Sequence, residues 1–163
     1  TASSPSIFRS NWPFRMPPAP DQDSRPIDLH LAFTATPLTV RDSLHRMLAL
    51  PPLARLSDDR RGTAELVLAE VLNNVAEHAY GSRPGLVTVS ITQTSQGLRC
   101  VIVDQGKAMP GGTLPEGRLP GRSGLALDDL PEGGFGWRLI HSLTTDLVYS
   151  RAEGCNHLQF LLP

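Results

Sequence analysis

One run of the chain carries three side chains at helical spacing that could do chemistry. Glu70, Asn74 and His78 stand four residues apart within residues 58–80, a stretch with no proline and a single early glycine. Residues four apart share one line of an α-helix, so the sequence predicts a carboxylate, an amide and an imidazole in a row. Burying such groups without partners costs roughly 2–7 kcal/mol each. The row is therefore expected to line a polar cleft or to meet polar partners.

The first two of these groups suit phosphate chemistry. The side-chain oxygen of Asn74 is a fitting ligand for magnesium, a hard ion that keeps water and phosphate as its other ligands. The carboxylate of Glu70, one turn earlier, can position a hydroxyl or a water and take its proton. A lone Asn or His on a helix is more often a surface residue than a ligand, so the rest of the chain has to decide.

Two further patterns point to the same chemistry. Asp104-x-Gly106-x-x-x-Pro110 leaves a predicted strand, and Gly134-x-Gly136 opens a predicted helix. Asp104 could accept a hydrogen bond from the exocyclic amine of adenine, and Gly106 would let the base approach the backbone. The free N–H groups at the start of the later helix can bind phosphate. Each pattern is common alone, but their order and spacing together favour an ATP site.

The helix that holds the first pattern has clear boundaries. Ser57 is placed as the N-cap, Asp58 and Asp59 lie in the first turn where the helix dipole favours negative charge, and Gly81 ends the helix. A helix this apolar is expected to be buried. Its apolar residues recur in a helical pattern: Ala64, Leu66, Val67, Leu68, Ala69, Val71, Leu72, Val75, Ala76 and Ala79.

Alternating apolar and polar residues predict the sheet around this helix. Five strands are expected, at 27–33, 87–92, 98–104, 147–151 and 157–162. Thr36-Pro37 caps a further helix that ends near Leu50, and a third helix opens at Gly134. On the third strand Leu98, Cys100, Ile102 and Asp104 are expected to share one face. The predicted order is βαα, ββ, α, ββ.

Between the second and third patterns, Gly111 to Gly133 is rich in Gly and Pro and has little periodicity. Ordinary loops are shorter, and loops of this length are usually functional or disordered. Only about 30 residues follow it, too few for a second domain. This segment is therefore interpreted as a lid.

Composition limits the remaining alternatives. The 163 residues, 40% of them hydrophobic, allow one domain, placed at 27–163 behind a Pro- and Ser-rich, disordered or loosely docked extension at 1–26. A net charge of -1 and a pI near 6.5 give no basic surface for nucleic acid or an anionic membrane. No transmembrane stretch or signal-peptide pattern is found. Cys100 and Cys155 are interpreted as two buried thiols of a cytoplasmic protein.

At this point the three patterns resemble those of a known family. Residues 70–80 resemble the N box of the GHKL (Bergerat-fold) ATP-binding domain, and 104–110 and 133–140 resemble its two glycine boxes. The match is closest to the bacterial anti-sigma-factor serine/threonine kinases and covers Ile27 to the C-terminus. It implies an α+β, two-layer α/β sandwich: a mixed sheet of about five strands, three helices on one face, and a flexible ATP lid.

The resemblance also implies roles for residues. Glu70 corresponds to the catalytic base, Asn74 to the magnesium ligand and Asp104 to the adenine anchor, while His78 matches the N box without an assigned role. Where many relatives carry a threonine, this chain has Asn156, which is expected to substitute weakly or not at all. The residues expected to bind the nucleotide are Asn74, His78, Asp104, Gly106, Met109, Gly134, Phe135 and Gly136.

Two functions stay open. By resemblance, the protein is a kinase that uses ATP and Mg²⁺, sequesters a sigma factor and phosphorylates a STAS-type anti-anti-sigma protein on serine, so regulating transcription. The relatives also suggest a homodimer through the sheet region. The alternative is a nucleotide-dependent protein-binding module with little phosphotransfer. A P-loop enzyme is disfavoured because the chain has no Gly-x-x-x-x-Gly-Lys-Ser/Thr.

Overall fold

The computed structural model describes residues 28–81, 83–116 and 135–163. Within these described ranges, five strands and three α-helices occur in the predicted order. The N-terminal extension, Gly134 and the larger part of the predicted lid lie outside the described residues. The elements are β1 (Asp28–Ala35), α1 (Pro37–Leu48), α2 (Asp58–Asn74), β2 (Gly85–Thr94), β3 (Gly97–Asp104), α3 (Phe135–Leu143), β4 (Thr145–Ala152) and β5 (Cys155–Leu162).

The strands form one sheet in the order β1-β2-β3-β5-β4. All four neighbouring pairs among the described strands are antiparallel, so the prediction of a mixed sheet was wrong. Short hairpins reverse the chain between β2 and β3 and between β4 and β5, and β5 returns beside β3. At the second hairpin Glu153 and Gly154 both have positive φ, as a two-residue turn of the type that matches strand twist requires.

One face of this sheet carries the core. The predicted sharing of a face by Leu98, Cys100, Ile102 and Asp104 is confirmed, since all four are buried. The register places Ile102 opposite Val89 and Leu158, which belong to the same core. The three helices contribute their buried side chains to this cluster, so they cover this face. Asp104 is the charged end of an otherwise apolar row.

The first helix begins as the sequence predicts. The hydroxyl of Thr36 accepts a hydrogen bond from the backbone N–H of Thr39, and the Thr39 hydroxyl accepts one from the backbone N–H of Thr36. Together with Pro37 at the first helical position, this reciprocal pair satisfies donors that a helix start otherwise leaves free. Ser57 takes the extended backbone of an N-cap before α2, but its side chain makes no capping hydrogen bond.

The helix that follows is buried on one side only. Val67, Leu68, Val71 and Leu72 are in the core, whereas Leu66 is 44% exposed. The expectation of a buried helix therefore holds for one side of α2. The reason is that α2 contacts α1 and α3 and shares its buried side chains with the core of the sheet, which leaves its outer side to solvent.

The end of the helical run has a geometry that the sequence did not predict. Val75–Ala79 is π-helical, with the backbone N–H of Tyr80 donating to the carbonyl of Val75 at 3.1 Å. Such wider turns hold one residue more than an α-helical turn and are frequent at functional sites. Gly81 then ends the run with a φ of 59°, as predicted.

The two cysteines differ in their surroundings. Cys100 is buried and free, and burial raises the pKa of its thiol to about 12. Cys155 is also free but only partly buried, so the expectation of two buried thiols holds for Cys100 alone. Among the described residues, each helix is too short or too polar to span a bilayer.

The core can be tested at Phe160, which is fully buried on β5. Phe160→Ala removes the ring and leaves a cavity, so the free energy of unfolding should fall by about 3–5 kcal/mol. Leu38→Ala, at a residue 77% exposed on α1, should change it by less than about 0.5 kcal/mol. Urea unfolding followed by circular dichroism measures both. Similar losses in the two variants would contradict the described core.

Candidate nucleotide-binding site

A cavity of ≈ 570 Å³ lies between the end of the helical run and the segment after β3. The start of α3 and residues of β4 and β5 also line it. Its size falls within the range typical of small-molecule sites. Four residues predicted from the sequence line it: Asn74, His78, Asp104 and Met109. Trp137, Tyr149 and Asn156 line it as well, although no motif had assigned them to the nucleotide.

The two chemical groups of α2 lie against the start of α3. A Cβ built on Gly136 would overlap Oε2 of Glu70 and would lie 4.0 Å from Nδ2 of Asn74. Glycine at this position therefore lets α3 approach the carboxylate and the amide closely. Glu70 is partly buried and lies beside the cavity rather than among the residues that line it.

Asn74 ends α2 with an unsatisfied side chain. Its Nδ2 is buried and finds no hydrogen-bond partner within the described part of the chain. Buried polar groups are nearly always paired, and an exception calls for a ligand or an ion. Because the two ends of an amide exchange by a half-turn, the same position can present Oδ1, an oxygen ligand suited to Mg²⁺.

Asp104 lies at the other side of the cavity and is 5% exposed. Its Oδ1 accepts hydrogen bonds from the backbone N–H of Gly106 and from Nδ2 of Asn156, both at 2.8 Å. No described residue donates to its Oδ2. Burial raises the pKa of the Asp104 carboxyl, while these two hydrogen bonds and the charges of Arg151 and His157 act in the opposite direction.

Gly106 holds the segment after β3 against the end of the helical run. A Cβ at Gly106 would lie 2.6 Å from both the Cβ and the carbonyl oxygen of Ala79. The backbone N–H of Lys107 donates to that same carbonyl at 2.8 Å. Tyr80 adds a second tie, since its hydroxyl accepts the backbone N–H of Gln105 at 2.9 Å and donates to the carbonyl of Leu86. This close approach explains the glycine.

Asn156 is more important to the site than the sequence suggested. It is buried on β5 opposite Asp104 and donates directly to that carboxylate. The expectation that it substitutes weakly or not at all for the threonine of the relatives stays a prediction. Its Oδ1 accepts from the hydroxyl of Tyr149 and from the guanidinium of Arg151. The sequence signal that could have indicated these two partners is the alternation on β4, which places Tyr149 and Arg151 on one face with Leu147.

The remaining predicted residues are placed as follows. His78 is exposed, lies inside the π-helical segment and lines the same cavity as Asn74. Met109 is partly buried and donates its backbone N–H to the hydroxyl of Tyr149 at 3.1 Å. Phe135 is 57% exposed at the start of α3.

A contact with α3 holds the described part of the predicted lid. Nε2 of His141, on α3, lies 2.9 Å from the carbonyl oxygen of Pro115, and Pro115 lines the cavity. Gly111 and Gly112 both have positive φ in the short turn that precedes it. The segment after Met109 therefore starts by crossing the cavity towards α3.

Comparison with known proteins agrees with this geometry. Residues 33–162 match the histidine kinase-like ATPase domain, and the chain belongs to that family. The resemblance seen in the sequence is thereby confirmed, and ATP is the ligand that the family implies for the cavity.

Two similar proteins refine the class. The serine/threonine-protein kinase BtrW of Bordetella bronchiseptica is 33% identical over 131 residues, which cover 80% of this chain and 88% of that protein. The serine-protein kinase RsbW of Bacillus mycoides is 27% identical over 90 residues, 55% of this chain and 56% of that protein. Both names denote protein kinases that act on hydroxyl residues.

Two glycines of the site should respond differently to alanine. Gly106→Ala forces a methyl into the backbone of Ala79 and should lower the free energy of unfolding by about 1–3 kcal/mol. At Gly136 the atom nearest to the added methyl is the carboxylate end of the flexible Glu70 side chain, which can move aside, so stability should hold or rise by up to about 1 kcal/mol.

Gly62→Ala, on α2, is the matched control. A Cβ at this position meets no atom within 4 Å, so the alanine should stabilise the helix. Urea unfolding compares the three variants. A Gly106→Ala protein as stable as the Gly62→Ala protein would show that the segment after β3 does not approach Ala79 closely.

Proposed function

We propose that this protein is an ATP-dependent serine/threonine protein kinase that acts as an anti-sigma factor. The observation that carries the proposal is the meeting of Glu70, Asn74 and Gly136 beside a cavity of nucleotide size. The similarity to two protein kinases supports phosphotransfer rather than nucleotide binding alone.

In this proposal Asp104 recognises the base. Its Oδ2 is the oxygen left without a donor from the described residues, and it belongs to a carboxylate that lines the cavity. An acceptor there suits the exocyclic amine of adenine, whereas guanine has a carbonyl oxygen at the corresponding position. Two acceptors would repel, so ATP should be preferred over GTP.

Glu70 and Asn74 act at the phosphate end. Asn74 would hold a magnesium ion, which neutralises phosphate charge and orients the phosphates when bound. The hydroxyl oxygen of the substrate serine forms a bond to the γ-phosphorus, and the bond from that phosphorus to the bridging oxygen of ADP breaks. Glu70 receives the serine proton. The start of α3 lies next to Glu70, so its free backbone N–H groups are available to the phosphates.

The partners follow from the resemblance in the three motifs. The phosphorylated protein would be a STAS-type anti-anti-sigma protein, and the unphosphorylated form of that protein would release a sigma factor held by this kinase. Such regulation of transcription belongs in the cytoplasm. Homodimers would form through the sheet region.

The direct experiment mixes the protein with Mg²⁺, γ-labelled ATP, a STAS-type partner and its Ser→Ala version. Label transferred to the serine form alone is the expected result. Tight ATP binding with no transfer to any serine-bearing partner would favour the alternative, a nucleotide-dependent binding module.

Asp104→Asn should separate recognition from stability. The variant replaces the Oδ2 acceptor by a donor, so ATP affinity should fall by a factor of about ten to over a hundred. Asp42→Asn, an exposed carboxylate on α1, should leave affinity unchanged. Calorimetry with ATP and GTP decides, and equal binding of both nucleotides by the unmodified protein would exclude Asp104 as the reader of adenine.

The same variant has a defined pH dependence of stability. Because burial raises the pKa of Asp104, its contribution to stability is fully present below the ordinary value of about 3.9 and is lost as the pH rises through the raised value. Asp104→Asn lacks the carboxyl and does not undergo this loss. The melting temperature of the variant minus that of the unmodified protein should therefore increase from pH 3.5 to pH 7, a range that brackets the transition at about 3.9 and above. A constant difference in melting temperature across that range would contradict the raised pKa of Asp104.

Glu70→Gln tests the base. It keeps the shape of the side chain but cannot take the serine proton, so transfer should fall by a factor of about 10²–10⁴ while ATP affinity stays nearly the same. Glu65→Gln, exposed on the same helix, should retain full transfer. Undiminished transfer by Glu70→Gln would refute the assignment.

A further inference from the structure

Every hydrogen-bonding position of the Asn156 amide is occupied. Its Oδ1 accepts from the hydroxyl of Tyr149 at 2.8 Å and from Nη1 of Arg151 at 2.5 Å. Its Nδ2 donates to Oδ1 of Asp104 at 2.8 Å and to the carbonyl of Lys107 at 2.9 Å. An amide offers two acceptor and two donor positions, so none is left. At 5% exposure, water has little access to compete.

These partners define the direction of the amide. A half-turn of Asn156 would point its NH₂ at the guanidinium of Arg151 and its oxygen at the carboxylate of Asp104. A tyrosine hydroxyl can reverse its role and accept, but a guanidinium has no acceptor. Arg151 on one side of the amide, and the carbonyl of Lys107 with the carboxylate of Asp104 on the other, therefore exclude the reversed amide. The hydroxyl of Tyr149 adds to the hold of Arg151 on Oδ1.

The direction of the amide decides which oxygen Asp104 offers to a ligand. With Nδ2 of Asn156 and the backbone N–H of Gly106 both on Oδ1, the acceptor without a described donor is Oδ2. A reversed amide would instead place an oxygen beside the carboxylate and favour its rotation or protonation. Either change alters the hydrogen-bonding groups that Asp104 presents to the base.

The same two side chains also hold the segment that follows β3. Nη1 of Arg151 donates to the carbonyl of Gly106 at 3.0 Å, and the hydroxyl of Tyr149 accepts the backbone N–H of Met109 at 3.1 Å. Gly106 and Met109, the two ends of this stretch, are thus hydrogen-bonded to β4. This strand pairs with β5, the strand that bears Asn156. The cavity wall and the carboxylate are positioned by one set of contacts.

We propose that Arg151 and Tyr149 are positioning residues that set the preference for adenine by fixing the Asn156 amide against Asp104. This proposal rests on the proposed function, because it assumes that Asp104 faces the base. It assigns a role in specificity to β4, a strand that carries none of the three motifs.

The test compares Arg151→Gln, Tyr149→Phe and the double variant with Ser150→Ala, an exposed residue between them. Calorimetry gives the Kd of ATP and of GTP for each protein, and circular dichroism checks folding. Each single variant loses one hydrogen bond to Asn156 and one to the segment after β3. ATP should then bind about threefold to tenfold more weakly, with the Kd ratio of GTP to ATP reduced by a similar factor. In transfer assays the loss should lie in KM for ATP rather than in kcat. Ser150→Ala should match the unmodified protein.

Introducing Asp104→Asn into each background tests whether the effect passes through Asp104. In the double Arg151→Gln, Tyr149→Phe protein it should lower the preference for ATP less than it does alone, since coupled residues are not additive. Equal weakening of ATP and GTP, or full additivity, would overturn the positioning role. Failure of the unmodified protein to prefer ATP would instead refute the reading of Asp104 in the proposed function.

Discussion

The close backbone contact between Ala79 and the Gly106–Lys107 segment is the constraint on which the site depends. It joins the end of the helical run, which carries Glu70 and Asn74, to the end of β3, which carries Asp104. Both elements are anchored in the core, so this contact fixes how far apart the two ends of the cavity lie. The contact uses backbone groups and the absence of a side chain, and it is therefore insensitive to rotamer changes that would move a contact between long side chains.

The number, order and kind of elements could be predicted from the sequence because the signals are local. Alternation marked the strands, Thr36-Pro37 marked a helix start that the structure shows in full, and Gly81 marked a helix end. The direction of pairing could not be predicted in the same way. Whether β5 returns parallel or antiparallel beside β3 depends on contacts between residues more than fifty apart in the chain, and no local pattern records them.

The same distinction between local patterns and long-range contacts applies to the candidate site. Glu70, Asn74, Asp104 and Gly136 could be proposed from the sequence because their types and spacing form motifs within single elements. The contacts of Asn156 could not be predicted, since its side-chain partners lie on two other strands. A buried amide with all four positions paired is a property of tertiary structure. Similarly, the exposure of Leu66 reflects which side of α2 faces its neighbours, and a run of apolar residues on every side of a helix does not reveal that.

The π-helical turn at Val75–Ala79 has a consequence for how this chain can change in length. A wider turn is what remains when a single residue is inserted into a helix whose two ends are already held in place. Loss of one residue within Val75–Ala79 would therefore restore α-helical winding and leave Ala79 and Tyr80 in contact with Lys107 and Gln105. In a regular α-helix the same deletion would rotate the residues that follow by about 100°. The length of this segment can thus change by one residue without displacing the opposite wall of the cavity.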